Sequence, residues 1–287
     1  MNIVNRRDFL LKMGILSGSL LVGQKGFSGE LDRTTRFSLR ADPSNVHFYF
    51  TGNLHGDRTL LANLPNAIEA KQALWLDTGN FSLGTTDLRL IQQMNTTGYQ
   101  VAAVGANEWR LGEDLLLRLA KQCQFTLVMS HGQRNDTEWL RWIKPYEIVN
   151  LGSNRIGIVA LGPSTDVDAD RLAWKQMHKW AQTLKRGSSC DYCICLVPEG
   201  YEKSFVMENI VSSDALDIVL CGALEKSRPA QYILKNRNKT DVICGIGTSE
   251  GNLVGKQVLD MRTPNLLLPY LLTHHPIKSV DNTALFT

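Results

Sequence analysis

Val46-His-Phe-Tyr-Phe-Thr-Gly-Asn-Leu-His-Gly56 carries the pattern that decides the fold: an apolar run too short for a helix, closed by small and polar residues. Runs of about 4–8 apolar, β-branched or aromatic residues bounded by turn formers read as buried strands. The same reading applies to Ala73–Leu76, Gln100–Val104, Phe125–Met129, Arg155–Leu161, Tyr192–Val197, Asp217–Leu220 and Asp241–Cys244. Between them, Thr59–Ala73, Thr86–Thr96, Gly112–Gln122, Asp168–Lys185 and Tyr201–Val211 carry helical periodicity. Strand, loop and helix in repetition predict a layered α/β domain. In such domains the chemistry lies on loops at the carboxyl ends of strands. That selects Gly52–Asp57, Asp77–Gly84, Gly105–Gly112, Pro198–Gly200 and Cys221–Glu225.

The chain has 287 residues, 43% hydrophobic and 21% charged, with 9 Pro. These fractions exclude a mostly disordered, collagen-like or disulfide-scaffold protein, and the length is ample for a buried core. The formal charge of +3 belongs to the N-terminus, where Arg6, Arg7, Lys12 and Lys25 face only Asp8. The remainder balances, so no global field draws in polyanions, and nucleic acid is not expected as a partner.

Arg6-Arg7-Asp-Phe-Leu followed by the modest apolar run Met13–Gly23 resembles the bacterial twin-arginine export signal. The run is diluted by Gly14, Ser17, Gly18 and Ser19 and is shorter than the roughly 20 residues that span a bilayer. The resemblance implies an export signal over 1–29, the twin-arginine translocase as partner during export, and a periplasmic or other extracytoplasmic destination. Retention by an uncleaved leader is the alternative. That route carries folded proteins, so disulfides are optional staples. A linker over 30–43, one domain over 44–262 and a tail over 263–287 complete the expected organisation.

Taken in order, the loops resemble the signature blocks of the calcineurin-like metallophosphatases, in particular the catalytic domain of the 5′-nucleotidases. Thr51-Gly-Asn-Leu-His-Gly56 is similar to that family's Asn-Asp-Leu-His-Gly, and Trp75-Leu-Asp-Thr-Gly-Asn-Phe81 to Leu-Leu-Asp-Ala-Gly-Asp-Phe. Met94-Asn-Thr-Thr-Gly-Tyr-Gln-Val-Ala-Ala-Val-Gly-Ala-Asn-Glu-Trp109 resembles the third block, which runs from Met-Asn-x-x-Gly-Tyr-Asp to Gly-Asn-His-Glu-Phe. Lys144–Val149 and Asn154–Gly162 match two framework strands, Asp217–Glu225 a late metal-binding block, and Asn252–Gly255 a late turn. The implied architecture is a four-layer α/β/β/α sandwich.

The same resemblance implies a degraded metal site. A two-metal phosphatase centre holds its cations about 3.5–4 Å apart and needs carboxylates, imidazoles and an amide around them. The matching positions are Asn53 for a metal-binding Asp, His55 for a retained His, Asn80 for the bridging Asp and Ala106 for the metal-binding Asn. Pro198, Ala223 and Glu225 stand where three imidazoles are expected, and Asn107 stands for the catalytic His. Neutral amides do not balance two dications, and Ala and Pro offer no side-chain donor. No catalytic residue and no cofactor are therefore expected. The expected function is non-hydrolytic binding of a small-molecule or protein partner through the relic pocket, where His55 bonds Asn53, Asn80 or backbone.

An active phosphoesterase or a thiol or metal redox protein with a rebuilt site is the alternative. Its metal form would use one divalent ion held by His55, Glu225 and either Glu199 or Asp57. Its thiol form would use Cys195, Cys221 and Cys244, should they approach one another beside the pocket. Cys190-Asp-Tyr-Cys193 runs into a strand, where residues three apart lie about 10 Å from each other, too far for a disulfide. Trp139, Trp142, Trp174 and Trp180 read as caps on the core.

Overall fold

The computed structural model describes residues 37–39, 45–58, 61, 73–84, 88–132, 137–225, 227–251, 253–260 and 275–276. The chain divides into Met1–Thr35 and Arg36–Thr287, and all described residues belong to the second unit. The expected export signal lies outside the described residues, as does most of the helix expected over Thr59–Ala73.

One sheet has seven strands. Four of them, β2 (Asn45–Thr51), β3 (Leu74–Asp77), β4 (Val101–Ala103) and β5 (Thr126–Val128), run parallel and side by side. β6 (Ile143–Lys144) extends this sheet at one edge. At the other edge β13 (Leu253–Asp260) lies antiparallel to β2, with β14 (His275–Pro276) beyond it.

The second seven-stranded sheet runs in the order β1 (Phe37–Leu39), β7 (Tyr146–Leu151), β8 (Asn154–Ala160), β9 (Tyr192–Val197), β10 (Ile218–Cys221), β12 (Asp241–Ile246), β11 (Ala230–Lys235). The helices are α1 (Leu88–Thr97), α2 (Ala106–Trp109), α3 (Glu113–Gln122), α4 (Thr137–Trp142), α5 (Val167–Arg186) and α6 (Lys203–Ser212).

Period-two alternation assigns each strand face to a different core. Phe48, Phe50, Leu74, Leu76, Val101 and Ala103 pack against Ile156, Ile158, Ile194, Leu196, Ile218 and Leu220 of the other sheet. The intervening Tyr49, Trp75 and Ala102 turn outward to meet Leu90, Met94, Leu116 and Trp139 of the helices. Because both faces of these strands are covered, they read as unbroken apolar runs. The four layers expected from the sequence are those observed.

The strands and helices read from periodicity recur within two or three residues of their expected ends where described. Asp166 caps α5 by accepting from the Asp168 and Ala169 N–H groups, and Lys185 and Arg186 complement its C-terminal end. The elements not read from periodicity are β7, β11 and α4, of 6 residues each, and the short or interrupted ones. β1 forms within the expected linker and β14 within the expected tail; α2 has 4 residues and β6 has 2. β13 is interrupted in pattern by Gly255, where any Cβ would run into the Phe50 ring. Trp139 and Trp174 are buried, and Trp180 packs on Tyr146, in keeping with core caps.

Candidate functional site

The parallel registers bring the carboxyl ends of β2, β3 and β4 level in one sheet, and those of β9, β10 and β12 level in the other. Loops from both sheets then meet at backbone distance. A Cβ on Gly52 would strike Thr78 Oγ1 and come within 3.0 Å of the Gly222 Cα. Only glycine allows this approach between a loop of the first sheet and one of the second.

Asn53, His55 and Asn80 all adopt positive φ, at 58°, 47° and 58°. Left-handed backbone is uncommon outside glycine, and asparagine tolerates it best. Three main-chain bonds zip the two loops into this shape: Asn53 N to Gly79 O (2.9 Å), His55 N to Asn80 O (3.0 Å) and Gly56 N to Phe81 O (2.8 Å). Fully buried Glu108 anchors the arrangement from below. Its carboxylate accepts from Asn80 N (2.9 Å), Ser82 N (2.8 Å) and Gly105 N (2.9 Å). Burial pushes this carboxyl up, against the pull of those three donors.

Above Glu108 the side chains form a continuous amide and imidazole chain. Asn53 Nδ2 donates to Thr248 O (2.9 Å), and Asn53 Oδ1 accepts from Asn80 Nδ2 (3.2 Å). Asn80 Oδ1 accepts from the Asn107 N–H (3.0 Å). Asn107 Nδ2 donates to Ser82 O (2.8 Å) and meets His55 Nδ1 at 3.2 Å, while Arg110 donates to Asn107 Oδ1 (3.2 Å). Each amide touches a backbone group that can only donate or only accept, so all three orientations follow from the backbone. His55 Nε2 faces the Ser249 carbonyl at 3.1 Å, which requires Nε2 to carry the proton and Nδ1 to accept from Asn107. His55 thus bonds backbone as expected, but its side-chain partner is Asn107, not Asn53 or Asn80.

Glu199 reaches this chain from the second sheet. Its half-buried carboxyl is pushed up by burial, with neighbouring His55 and a hydrogen bond from Asn80 pulling it down. Glu199, Ala223, Glu225, Arg228, Thr248 and Ser249 line a cavity of ≈610 Å³ that opens beside the amides. Glu225 sits at its exposed rim, with its N–H held by Tyr201 O. Ala106 opens α2, immediately before Asn107, and Pro198 closes β9 next to Glu199. Among the described residues no group of three or more His, Cys, Asp or Glu side chains is placed to hold a metal ion, so His55, Glu199 and Glu225 do not form one.

Cys195 and Cys244 both lie opposite Val219, and Cys221 follows two residues later on the same face. The three thiols therefore cluster, as the spacing allowed. They do so on the face turned away from the inter-sheet core, within the buried layer and not in the loop cavity. All six cysteines are free and buried. Burial pushes the Cys195 and Cys221 thiols up, which keeps them protonated.

Sequence reasoning missed Arg110, the Thr248 and Ser249 carbonyls, and the contact of Glu199 with Asn80, because none follows from a motif position. It also missed a buried chain behind the site, in which Tyr99 OH meets Thr51 Oγ1 (2.7 Å), which donates to Asp77 Oδ2 (2.6 Å). Asp77 Oδ1 accepts from the Gly79 N–H (2.8 Å), and burial pushes the carboxyl up to about 8. An acidic residue inside the apolar run Leu74-Trp-Leu-Asp77 was the available signal.

Among solved structures the chain is similar to a 5′-nucleotidase precursor from Thermus thermophilus (TM-score 0.66, 17% identity, 81% of this chain and 54% of that one). It is similar to the NAD nucleotidase from Haemophilus influenzae (TM-score 0.58, 15% identity, 75% and 52%) and to a calcineurin-like phosphoesterase from Bacillus subtilis (TM-score 0.54, 16% identity, 75% and 85%). No family model matches the chain, and no curated protein does. The chain spans about half the length of the two nucleotidases. At these identities the likeness is one of architecture: the chain has the metallophosphatase-type α/β fold of the 5′-nucleotidases and calcineurin-like phosphoesterases.

Proposed function

We propose that this chain is an exported, non-hydrolytic protein built on the nucleotidase catalytic fold, binding a small-molecule or protein partner through the cavity beside Asn53, Asn80 and Glu199. The observation that carries this reading is the Asn80 Nδ2 to Asn53 Oδ1 hydrogen bond at 3.2 Å. Two carboxylates at that separation would repel by about 5 kcal/mol at an effective dielectric of about 20, and cations between them would offset it. Two amides turn the repulsion into a bond and need no cation. The oxygens of Asn53 and Asn80 and the Nδ1 lone pair of His55 are engaged within the protein, while Ala106, Pro198 and Ala223 offer no donor. The donor set does not fit two divalent ions, and no hydrolytic step is derived through them.

The twin-arginine resemblance of the first residues supports export. The buried, protonated thiols and the absence of a metal-holding group among the described residues do not favour a rebuilt redox or single-metal site. The test is metal analysis of protein purified from the periplasm, followed by loading with manganese or zinc and assay on nucleotides and generic phosphate esters. The expected result is less than about 0.1 equivalent of transition metal and no metal-stimulated hydrolysis. Enzyme-like turnover abolished by Asn80→Ala would overturn the reading.

A further inference from the structure

A second cavity, of ≈270 Å³, opens two residues along the chain from Asn107, between Trp109 and the first turns of α5. Five residues of α5 line it; besides Asp170 they are Ala169, Leu172, Ala173 and Gln176, spaced as i, i+3, i+4 and i+7. This is the stripe a helix normally packs against a neighbour. Here its small alanines leave room, and Leu172 is 56% exposed. Trp109 forms the opposite wall. It is 42% exposed and is fixed edge-on by buried Trp139, with ring centroids 6.1 Å apart at 88°. Met129 and Pro163 complete the apolar lining.

Two polar groups of the lining, on His131 and Gln176, are donors. His131 Nδ1 accepts from the Gly162 N–H (3.3 Å), which leaves the ring proton on Nε2. Burial pushes this imidazole down to about 4, so it is neutral near pH 7. Gln176 Oε1 accepts from the Gly132 N–H (3.2 Å), which fixes the amide and leaves its NH2 end with no partner among the described residues. Asp170 Oδ1 and Oδ2 already accept from the Thr165 N–H and the Ser164 hydroxyl. Among the described residues no lysine or arginine lines the space.

We infer that this cavity is a binding site for a small, neutral, planar ligand that stacks on Trp109 and presents carbonyl or ring-nitrogen acceptors to His131 and Gln176. The ≈270 Å³ volume lies just below the range of about 300–1,000 Å³ typical of ligand sites and suits a one- or two-ring molecule. Among the described lining residues an anion would find Asp170 and no cation to pair with; a donor-only ligand would leave both protein donors unmatched. The site is separate from the amide chain and stands whether or not that chain is metal-free.

The full chain is titrated with coumarin, a neutral two-ring lactone, and the indole N–H resonance of Trp109 is followed by NMR, assigned through Trp109→Phe. Saturable binding is expected at a Kd of roughly 1 mM or tighter. Chromene, which lacks the carbonyl, is expected to bind about fivefold more weakly, and coumarin-3-carboxylate about tenfold more weakly. Ala169→Trp fills the cavity from the helix surface and is expected to abolish the shift with the melting temperature retained. Should that variant misfold, Gln176→Leu is expected to weaken coumarin about fivefold. No saturation by wild type, coumarin binding unchanged in a folded Ala169→Trp or in Gln176→Leu, or carboxylate binding as tight as coumarin overturns the proposal.

Discussion

Replacing Asn80 by Asp sets a carboxylate where the proposed reading has a neutral amide and asks whether this site tolerates the charge without a cation. Asn80 is 4% exposed; its Nδ2 donates to Asn53 Oδ1 at 3.2 Å and also bonds Glu199. Asn80→Asp removes both donors and sets an oxygen against two others. Two lost hydrogen bonds at about 1 kcal/mol each, plus about 1–3 kcal/mol for buried acceptors left unmatched, give about 3–5 kcal/mol. At about 2–4 °C per kcal/mol for a domain of this size, the melting temperature falls by roughly 6–20 °C at pH 7.

The pH dependence has a definite sign. Burial beside Glu199 raises the new carboxyl above its unfolded value, so the folded variant holds an extra proton between the two. Protonated, it can donate to Asn53 Oδ1. The variant therefore comes nearest to wild type at low pH and loses stability as pH rises through the raised value. Thermal melts followed by circular dichroism at pH 5 and pH 7, with and without manganese, read this directly. An Asn80→Asp protein melting with wild type at pH 7 would refute the reasoning, as would a wild type stabilised by several degrees on adding manganese.

Other expectations follow from the buried groups. Asp77, pushed up to about 8, contributes stability that is complete below its ordinary value near 3.8 and is lost as pH rises through about 8. Urea titrations from pH 5 to pH 9 should show that slope in wild type and not in Asp77→Asn. Glu108→Ala strands three buried N–H groups and should cost about 3 kcal/mol or more in a denaturant melt. Gly251→Ala places a methyl against the Asn53 carbonyl at φ 63° and should destabilise by at least about 2 kcal/mol. The six thiols should resist a thiol reagent in the native state and all react once the chain is unfolded, so rapid native labelling of Cys195 or Cys221 would contradict their burial.

The strands that carry the site were legible because both their faces are buried, and stretches such as Phe48–Phe50 and Tyr192–Val197 are apolar throughout. The loop residues Asn53, His55, Asn80 and Asn107 were legible through their motifs, and the structure joins them in one network. His55 shows the limit. Its retention was readable, but its partners, Asn107 and the Ser249 carbonyl, lie 52 and 194 positions away along the chain. Period two puts Cys193 and Cys195 on one face of their strand, yet only strand order decided that Cys195, Cys221 and Cys244 surround Val219. The Trp109 cavity had no signature, since it arises from small residues on α5 meeting a loop some 40 residues earlier.

Local chemistry thus determined which segments extend, which coil, and which loops carry a motif: apolar periodicity and residue type are properties of neighbours in sequence. Hydrogen-bond partners, burial and cavities belong to groups brought together by sheet order and loop closure. That is why the amide chain, the tautomer of His55 and the raised carboxyl of Asp77 appear only once the two sheets are stacked.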